Sequence, residues 1–221
     1  METEIIRLVT NEKVSDVHLL TFDKKMEFEA GQWIYVVADN NDKKEKRAYS
    51  IASSPSEPLQ LCVKRIEGGF MSNILCDLEP GDPIKVSKMK FGVFTVQHPK
   101  KPNIFIATGT GITPFHSIIP TLLKAGCKSP LYLFYGARTV KDLVYHSFFQ
   151  DLAEKYSNFA YISILSREDW KDTGHVQDVI PKYIPSGEGK DMYVCGLMKM
   201  KKDIMNLAKK LKFDKVHYEL Y

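Results

Sequence analysis

The sequence predicts a two-part chain, an antiparallel β-barrel followed by a parallel α/β domain covered by helices on both faces. Three observations carry this. From Glu4 to about Val96, apolar and polar residues alternate between turn signals, the period of half-buried strands. Beyond Asn103 the pattern changes to continuous apolar strands alternating with helices, as in a parallel sheet buried on both sides. Between them, Gln97-His98-Pro99-Lys100-Lys101-Pro102-Asn103 is polar and proline-bearing, so the boundary falls there and the domains are read as 1–99 and 100–221.

In the first part, Ile6, Leu8, Val14, Val17, Leu19 and Phe22 mark two strands, and Trp33 to Val37 a third, fed by a turn at Ala30-Gly31-Gln32. Asn40 to Lys46 reads as a lysine-rich loop, after which Arg47 to Ala52 begins the next strand. Ser53 to Pro58 turns the chain, and Leu59 to Ile66 alternates again until Glu67-Gly68-Gly69-Phe70 breaks the strand. Met71 to Leu78 reads as a short helix with Ser72 and Asn73, both N-capping types, in its first turn. Pro80-Gly81-Asp82 ends it, and Ile84 to Ser87 and Gly92 to Val96 supply the last two strands. Short strands with one small helix suggest a closed barrel, a form without open edges.

In the second part, strands are expected at Ile104 to Ala107, Leu131 to Tyr135, Phe159 to Leu165 and Asp191 to Val194. Helices are expected over Pro114 to Ala125, most of Val140 to Tyr156, and Val176 to Ile180. Met200, Ile204, Leu207, Ala208 and Leu211 recur at helical spacing in a final helix, and Lys215 to Tyr218 adds the last strand.

Composition narrows the function classes. The chain has 221 residues, 44% hydrophobic and 26% charged, which suits a globular protein and excludes disorder and a collagen-like fibre. No apolar run approaches bilayer length, and Met1-Glu2-Thr3-Glu4 lacks the pattern of a secretory leader, so a cytoplasmic protein without a membrane partner is expected. Basic residues exceed acidic by 31 to 27, a mild surplus that favours an acidic partner. Cys62, Cys76, Cys127 and Cys195 form no CxxC pair and the six histidines are scattered, so no metal site is expected.

Four stretches carry chemistry. Arg47-Ala48-Tyr49-Ser50 places a cation, a ring and a hydroxyl at a strand end; if extended, Arg47 and Tyr49 share one face and Ala48 and Ser50 the other. That layout suits a flat anionic ligand, because a guanidinium forks onto phosphate, a phenol lies against a ring system and a hydroxyl bonds a ring nitrogen. Thr108-Gly109-Thr110-Gly111-Ile112-Thr113-Pro114 follows a strand and opens a helix, the context in which a glycine turn binds phosphate. The usual third glycine of a dinucleotide fingerprint is replaced by Pro114, acceptable at a first helical position. Cys195-Gly196 ends a later strand, where a thiol borders the ligand crevice of a doubly wound sheet, and Tyr218-Glu219-Leu220-Tyr221 follows at the end.

Taken in order, these stretches resemble the ferredoxin-NADP reductase family, over nearly everything from Ala30 to Tyr221. Arg47-Ala48-Tyr49-Ser50 is similar to the family's flavin motif, and Leu61-Cys62-Val63-Lys64-Arg65 to the strand after it. Met71-Ser72-Asn73 with Cys76-Asp77-Leu78 is similar to the helix that receives flavin phosphates. Gly109-Thr110-Gly111-Ile112-Thr113-Pro114-Phe115 is similar to the nicotinamide-side phosphate loop, and Cys195-Gly196-Leu197 with terminal Glu219-Leu220-Tyr221 to the plant-type branch. The resemblance implies a Greek-key, flavin-binding barrel followed by a Rossmann-like NAD(P)-binding domain. It implies that Arg47 neutralises flavin phosphate, Tyr49 stacks on one face of the isoalloxazine and Ser50 bonds near N5. Tyr221 would cover the opposite face, Cys195 would border the nicotinamide, and Glu219 would relay a proton or orient Ser50. Ser166-Arg167 is similar to the pair that takes the extra phosphate of NADP, which favours NADPH over NADH. The later Lys and Tyr that usually help are not evident around Thr173-Gly174-His175-Val176-Gln177, where His175, when protonated, is the substitute. Ile66-Glu67-Gly68 also lacks the aromatic that stacks on FAD adenine, so FMN stays open beside FAD.

The expected activity is NAD(P)H-driven reduction of a small acidic carrier, ferredoxin or flavodoxin, by a monomer. Lys43, Lys44, Lys46, Lys88, Lys90, Lys199 and Lys201 are candidate docking cations. Three alternatives stay open on the residues: a free-flavin reductase, a nucleic-acid-binding barrel, and an electron-transfer subunit of a larger complex. The second leaves the glycine turn unexplained; the third usually carries an iron-sulfur cysteine cluster.

Overall fold

Strand β1 (Thr3–Val14) shows what the alternation builds: Ile6 and Leu8 are buried, while Ile5, Arg7 and Val9 between them are exposed. The computed structural model describes residues 1–40 and 43–220, with the side chains at 40, 43, 199 and 220 excepted. The chain folds into two compact units, Met1–Thr95 with Thr113–Thr121, and Val96–Ile112 with Leu122–Tyr221.

The first unit holds β1, β2 (Val17–Lys25), β3 (Trp33–Asn40), β4 (Lys43–Ser50), β5 (Pro58–Lys64) and β6 (Pro83–Ser87) in one antiparallel sheet, ordered β4-β3-β6-β1-β2-β5. Its two end strands are linked by a single bridge, Ile51 to Leu61, rather than by a ladder. The closed barrel is corrected accordingly: the turn after β4 uses Ala52 N–H and Ser53 Oγ to bond Gln60, at 2.8 and 3.1 Å, where ladder bonds would otherwise run. Leu20, Phe22, Ile34, Val36, Leu61 and Val63 are among the residues filling the core.

Two element expectations are also corrected. Of the stretch Asn40 to Lys46 read as a loop, Asn40 and Lys43 to Lys46 are strand, and residues 41 and 42 lie outside the described residues: β3 and β4 pair as far as Asn40 opposite Lys43, with Asp39 opposite Lys44 as a favourable opposite-charge pair. Gly92 to Val96 is not a strand; Phe91 bridges Trp33, and Phe94 and Thr95 are buried without ladder pairing. Most of Val140 to Tyr156 is helical, as expected, in two pieces, a 3-10 turn (Val140–Asp142) and helix α3 (His146–Lys155), separated where Tyr145 sits in the left-handed region at φ 61°. Helix α1 (Phe70–Cys76) forms, but its N-cap is Gly69, and Ser72 and Asn73 lie inside it.

In the second unit β7 (Asn103–Thr108), β8 (Leu131–Ala137), β9 (Phe159–Leu165), β10 (Asp191–Gly196) and β11 (Lys215–Leu220) are all parallel, ordered β11-β10-β7-β8-β9. Helix α2 (Thr113–Lys124) follows β7, α3 follows β8, α4 (Val176–Tyr183) follows β9 and α5 (Met198–Leu211) follows β10. The chain leaves β7 toward β8 and β9, then returns to lay β10 on β7's other side. That reversal makes the C-terminal ends of β7 and β10 a topological switch point, where such sheets bind ligands. No helix among the described residues is long and apolar enough to cross a membrane.

Candidate functional site

The glycine turn occupies that switch point. Gly109–Ile112 forms a 3-10 turn between β7 and α2, and the Tyr135 hydroxyl donates to the Gly109 carbonyl at 3.1 Å. The turn is locked to the end of β10 by two close backbone approaches. A Cβ on Gly111 would fall 2.2 Å from the Cys195 carbonyl oxygen, and one on Gly196, at φ 149°, would fall 2.3 Å from Thr108 Oγ1. Only glycine fits either place. Leu197 N–H, at 3.4 Å from Thr108 Oγ1, extends the same junction, and the Leu197 side chain is exposed. Pro114 stands in the first turn of α2, as the N1-tolerant residue type allows.

Cys195 is fully buried and lies in register with Ala107 on one side and Glu219 on the other. Glu219 Oε2 is buried with no hydrogen-bond partner among the described atoms, and burial pushes its carboxyl up to about 7. The neutral acid is therefore the form held at lower pH. Tyr221, the expected ring cover, lies outside the described residues.

Ser166 and Arg167 follow β9, and the structure adds a residue the sequence reading missed. Arg167 N–H donates to the Arg138 carbonyl at 2.9 Å, and Ser166 Oγ lies 3.3 Å from the Ala137 carbonyl. Two exposed arginines thus follow adjacent parallel strands, a placement readable only once β8 and β9 are known to be neighbours. The loop behind them is pinned by Asp172, which is buried and accepts from Lys182 Nζ at 2.7 Å and Tyr183 OH at 2.5 Å. Lys182 and Tyr183 are thereby committed to the loop's own scaffold. Trp170 Nε1 donates to Ser163 Oγ at 2.9 Å, and His175 is the N-cap residue of α4.

In the first unit, β4 carries the Arg-x-Tyr-Ser stretch. Arg47 Nη2 lies 3.2 Å from Glu45 Oε2, and Nη1 donates to the Lys46 carbonyl at 3.2 Å. Tyr49 packs against the core, and burial, with Cys76 nearby, pushes its phenol up to about 12 despite Arg47. Its ring stays neutral. Ser50 is buried at the strand end. Met71 and Ser72 are buried on α1; Ser72 Oγ accepts Ile66 N–H at 3.2 Å, holding the preceding glycine loop, and Asn73 Oδ1 meets Arg65 Nη1 at 3.5 Å. His116 was also missed: its Nδ1–H donates to the Ala52 carbonyl at 2.8 Å, and burial, opposed by that bond, lowers its pKa to about 4. A histidine two residues after a helical proline has no sequence mark separating this role from ordinary packing. Among the described residues no cluster of three His, Cys, Asp or Glu side chains is placed to hold a metal ion.

Comparison with known proteins agrees with both halves. The Oxidoreductase FAD-binding domain family matches residues 3–92, and the Oxidoreductase NAD-binding domain family matches residues 105–206. Ferredoxin-NADP reductase B of Sorangium cellulosum is 36% identical over 195 residues, covering 82% of this chain and 79% of that protein. Phenol hydroxylase P5 protein of Acinetobacter pittii is 35% identical over 187 residues, covering 80% of this chain but 52% of its own length. A ferredoxin NADP+ reductase from Neisseria gonorrhoeae, solved with bound FAD and NADP, shares the fold at a TM-score of 0.89 and 17% identity, covering 100% of this chain and 99% of that one.

Proposed function

The chain belongs to the ferredoxin-NADP reductase family of flavin-dependent oxidoreductases, and from that premise we propose that it passes electrons from NADPH through FAD to a small one-electron carrier such as ferredoxin or flavodoxin. The likeness to Ferredoxin-NADP reductase B, over 79% of that protein's length, carries the reading. The phenol hydroxylase P5 protein and the anthranilate 1,2-dioxygenase electron transfer component also match, but the chain spans only about half of each, 52% and 51%. Function as a monomer in the cytoplasm is part of the same proposal.

The donor sets suit both nucleotides. In the first unit, the exposed Arg47 guanidinium is available to a phosphate, the neutral Tyr49 ring offers a flat apolar surface, and Ser50 supplies a hydroxyl. In the second, the Gly109–Ile112 turn stands between a strand and a helix, where its backbone N–H groups would meet a diphosphate, and glycine at 111 and 196 permits the close approach that holds the turn against the end of β10. Cys195 borders the nicotinamide, and Glu219 beside it retains a proton up to about pH 7. Ser166 and Arg167 engage the 2′-phosphate, which makes NADPH the preferred donor over NADH. Bound FAD supplies the conversion of a two-electron hydride into two one-electron transfers.

The test is an anaerobic absorbance titration of the purified protein with NADPH and, separately, NADH. A flavin band bleached rapidly by NADPH and slowly by NADH is the expected result. Flavin that binds only weakly and exchanges would turn the reading toward a free-flavin reductase. A protein that binds no flavin refutes it.

A further inference from the structure

The β1–β2 hairpin, the segment after β5 and helix α1 line a cavity of about 370 Å³ that the donor sets for the two nucleotides leave unused. That volume lies within the range of small-molecule sites, about 300–1000 Å³, and is many times the ~30 Å³ share of one water. Such sites are ordinarily lined by apolar and aromatic side chains. Here every lining residue is polar or charged, so the fitting occupant is a small polar ion and not a flat ring system.

His18 is the floor of this cavity: it is 7% exposed, whereas Lys13, Asp16 and Glu67 at the rim are exposed and Arg65 and Asn73 are half-buried. Lys13 is the cross-strand partner of His18, so the two side chains share one face. Arg65 is tied to the same hairpin by its backbone N–H, which donates to the Asp16 carbonyl at 3.0 Å. Asn11 fixes the hydrogens of the imidazole. Its amide nitrogen donates to the carbonyls of Cys76 and Leu78, at 3.1 and 2.9 Å, so its oxygen is an acceptor, and His18 Nδ1–H donates to that oxygen at 2.7 Å. The lone pair therefore stays on Nε2.

The field at the floor is positive. Burial lowers the His18 pKa, and Arg65 and Lys13 lower it further against the weaker opposing pull of Asp77. Of the two acids at the rim, Asp16 is taken by Lys64 at 2.7 Å, and Glu67 is exposed, where solvent and salt screen it. Arg65 Nη2 pairs with Asp77 at 2.6 Å, which leaves Nη1 with Asn73 Oδ1 at 3.5 Å, the long limit of a hydrogen bond. That nitrogen can take a better acceptor at little cost.

We propose that this pocket binds a small oxyanion, a phosphate or carboxylate group, held by Arg65 Nη1 and Lys13, with His18 taking a proton from solvent at Nε2 as the anion enters. The coupling follows from the charges. Two cations disfavour a third positive charge on His18; an oxyanion offsets both and accepts a hydrogen bond from Nε2–H, so anion and proton enter together. The charged groups that face the ring are Lys13 from β1, Arg65 from the segment after β5 and Asp77 from the end of α1, and Asp77 is already committed to Arg65. Binding is therefore tightest where His18 is protonated, and weakens as pH rises through the anion-bound midpoint of His18.

The test is nitrogen-15 NMR of the histidine rings in the flavin-loaded protein, titrated from about pH 5 to about pH 8 at constant ionic strength. One series contains chloride alone, a second inorganic phosphate and a third acetate. Saturating anion should raise the His18 midpoint by about one pH unit, which by linkage is about tenfold tighter binding to the protonated form. Lys13→Ala should weaken binding about tenfold and Arg65→Gln by more, while Lys209→Ala on α5 should leave it within about twofold. A response to phosphate alone assigns the site to tetrahedral oxyanions, and a response to acetate extends it to carboxylates. A His18 midpoint that neither anion moves refutes the site, as does binding unchanged in both Lys13→Ala and Arg65→Gln. Binding that is lost instead in Arg47→Ala or Arg167→Ala, or phosphate that releases the flavin, puts the anion in a nucleotide site and overturns the assignment. Should Arg65→Gln fail to fold, Lys13→Ala, a change on an exposed side chain, decides alone.

Discussion

Glu219→Gln converts the electrostatics of the second unit into a measurement. Among the described residues one buried oxygen of the Glu219 carboxyl has no hydrogen-bond partner, and burial raises its pKa from the usual 4.5 to about 7. A group raised in this way stays protonated in the folded state at pH values where the unfolded chain has already lost the proton. The unfolded state then binds fewer protons, so stability falls as pH rises from about 4.5 to about 7. The full interval corresponds to about 3 kcal/mol, and residual solvent contact at this half-buried position reduces the expected fall to about 1–2 kcal/mol. Glutamine has nearly the same shape and no titrating proton. The variant should match the unmodified protein near pH 4.5 and exceed its stability by about 1–2 kcal/mol at pH 8. Urea unfolding at pH 5, 6, 7 and 8 on both proteins isolates the group, because every other titration cancels in the difference. Parallel stability profiles across that range would refute the assignment of a neutral, buried Glu219.

Gly111→Ala drives a methyl to 2.2 Å from the Cys195 carbonyl oxygen, so it should cost about 1–3 kcal/mol in stability, and raise the NADPH KM with bound flavin unchanged. Thermal melts with steady-state kinetics check this, and an unaltered KM would remove the turn from nucleotide binding. Arg167→Ala should raise the KM for NADPH by about 10- to 100-fold and leave that for NADH nearly unmoved, the signature of a lost charge-assisted phosphate contact. Burial opposes ionisation of Asp172, but hydrogen bonds from Lys182 and Tyr183 hold its carboxyl below the usual carboxylate range. Its contribution is therefore complete above the usual value of 3.8 and lost only as pH falls through the lowered one. Asp172→Ala should cost about 2 kcal/mol at pH 7, read by urea unfolding.

Periodicity made most elements legible, because β1's alternation and the apolar runs of β7 to β10 report burial directly. It failed where pairing rather than burial decides. Lys44 and Lys46 read as loop residues, yet the ladder from Trp33 opposite Ser50 to Asn40 opposite Lys43 holds them in strand. Gly92 to Val96 failed the other way: Phe94 is apolar because it packs near Phe115, at 5.8 Å between rings, and no ladder is needed. In the candidate site, the residue types of the glycine turn and of Cys195-Gly196 were readable, but not that their backbones interlock. Arg138 was hidden for the same reason, since its link to Arg167 is a backbone bond between neighbouring parallel strands.

The two halves are built on different principles, and that difference is itself testable. The second half depends on backbone approach, so under the proposed nucleotide reading size at Gly111 and Gly196 should control stability and binding together. The flavin half depends on side chains whose structural partners are weak. Arg47 is 62% exposed, and its pair with Glu45 at 3.2 Å is the kind of surface contact worth about 0–1 kcal/mol. Its guanidinium can exchange that carboxylate for a phosphate at little cost. Arg47→Ala should therefore leave the melting temperature of flavin-free protein nearly unchanged, while weakening flavin binding by about 10- to 100-fold through the lost charge-assisted contacts. Fluorescence titration of flavin into the stripped protein measures the second quantity and thermal unfolding the first. If both change together, Arg47 is part of the scaffold; if neither does, the flavin phosphate is held elsewhere.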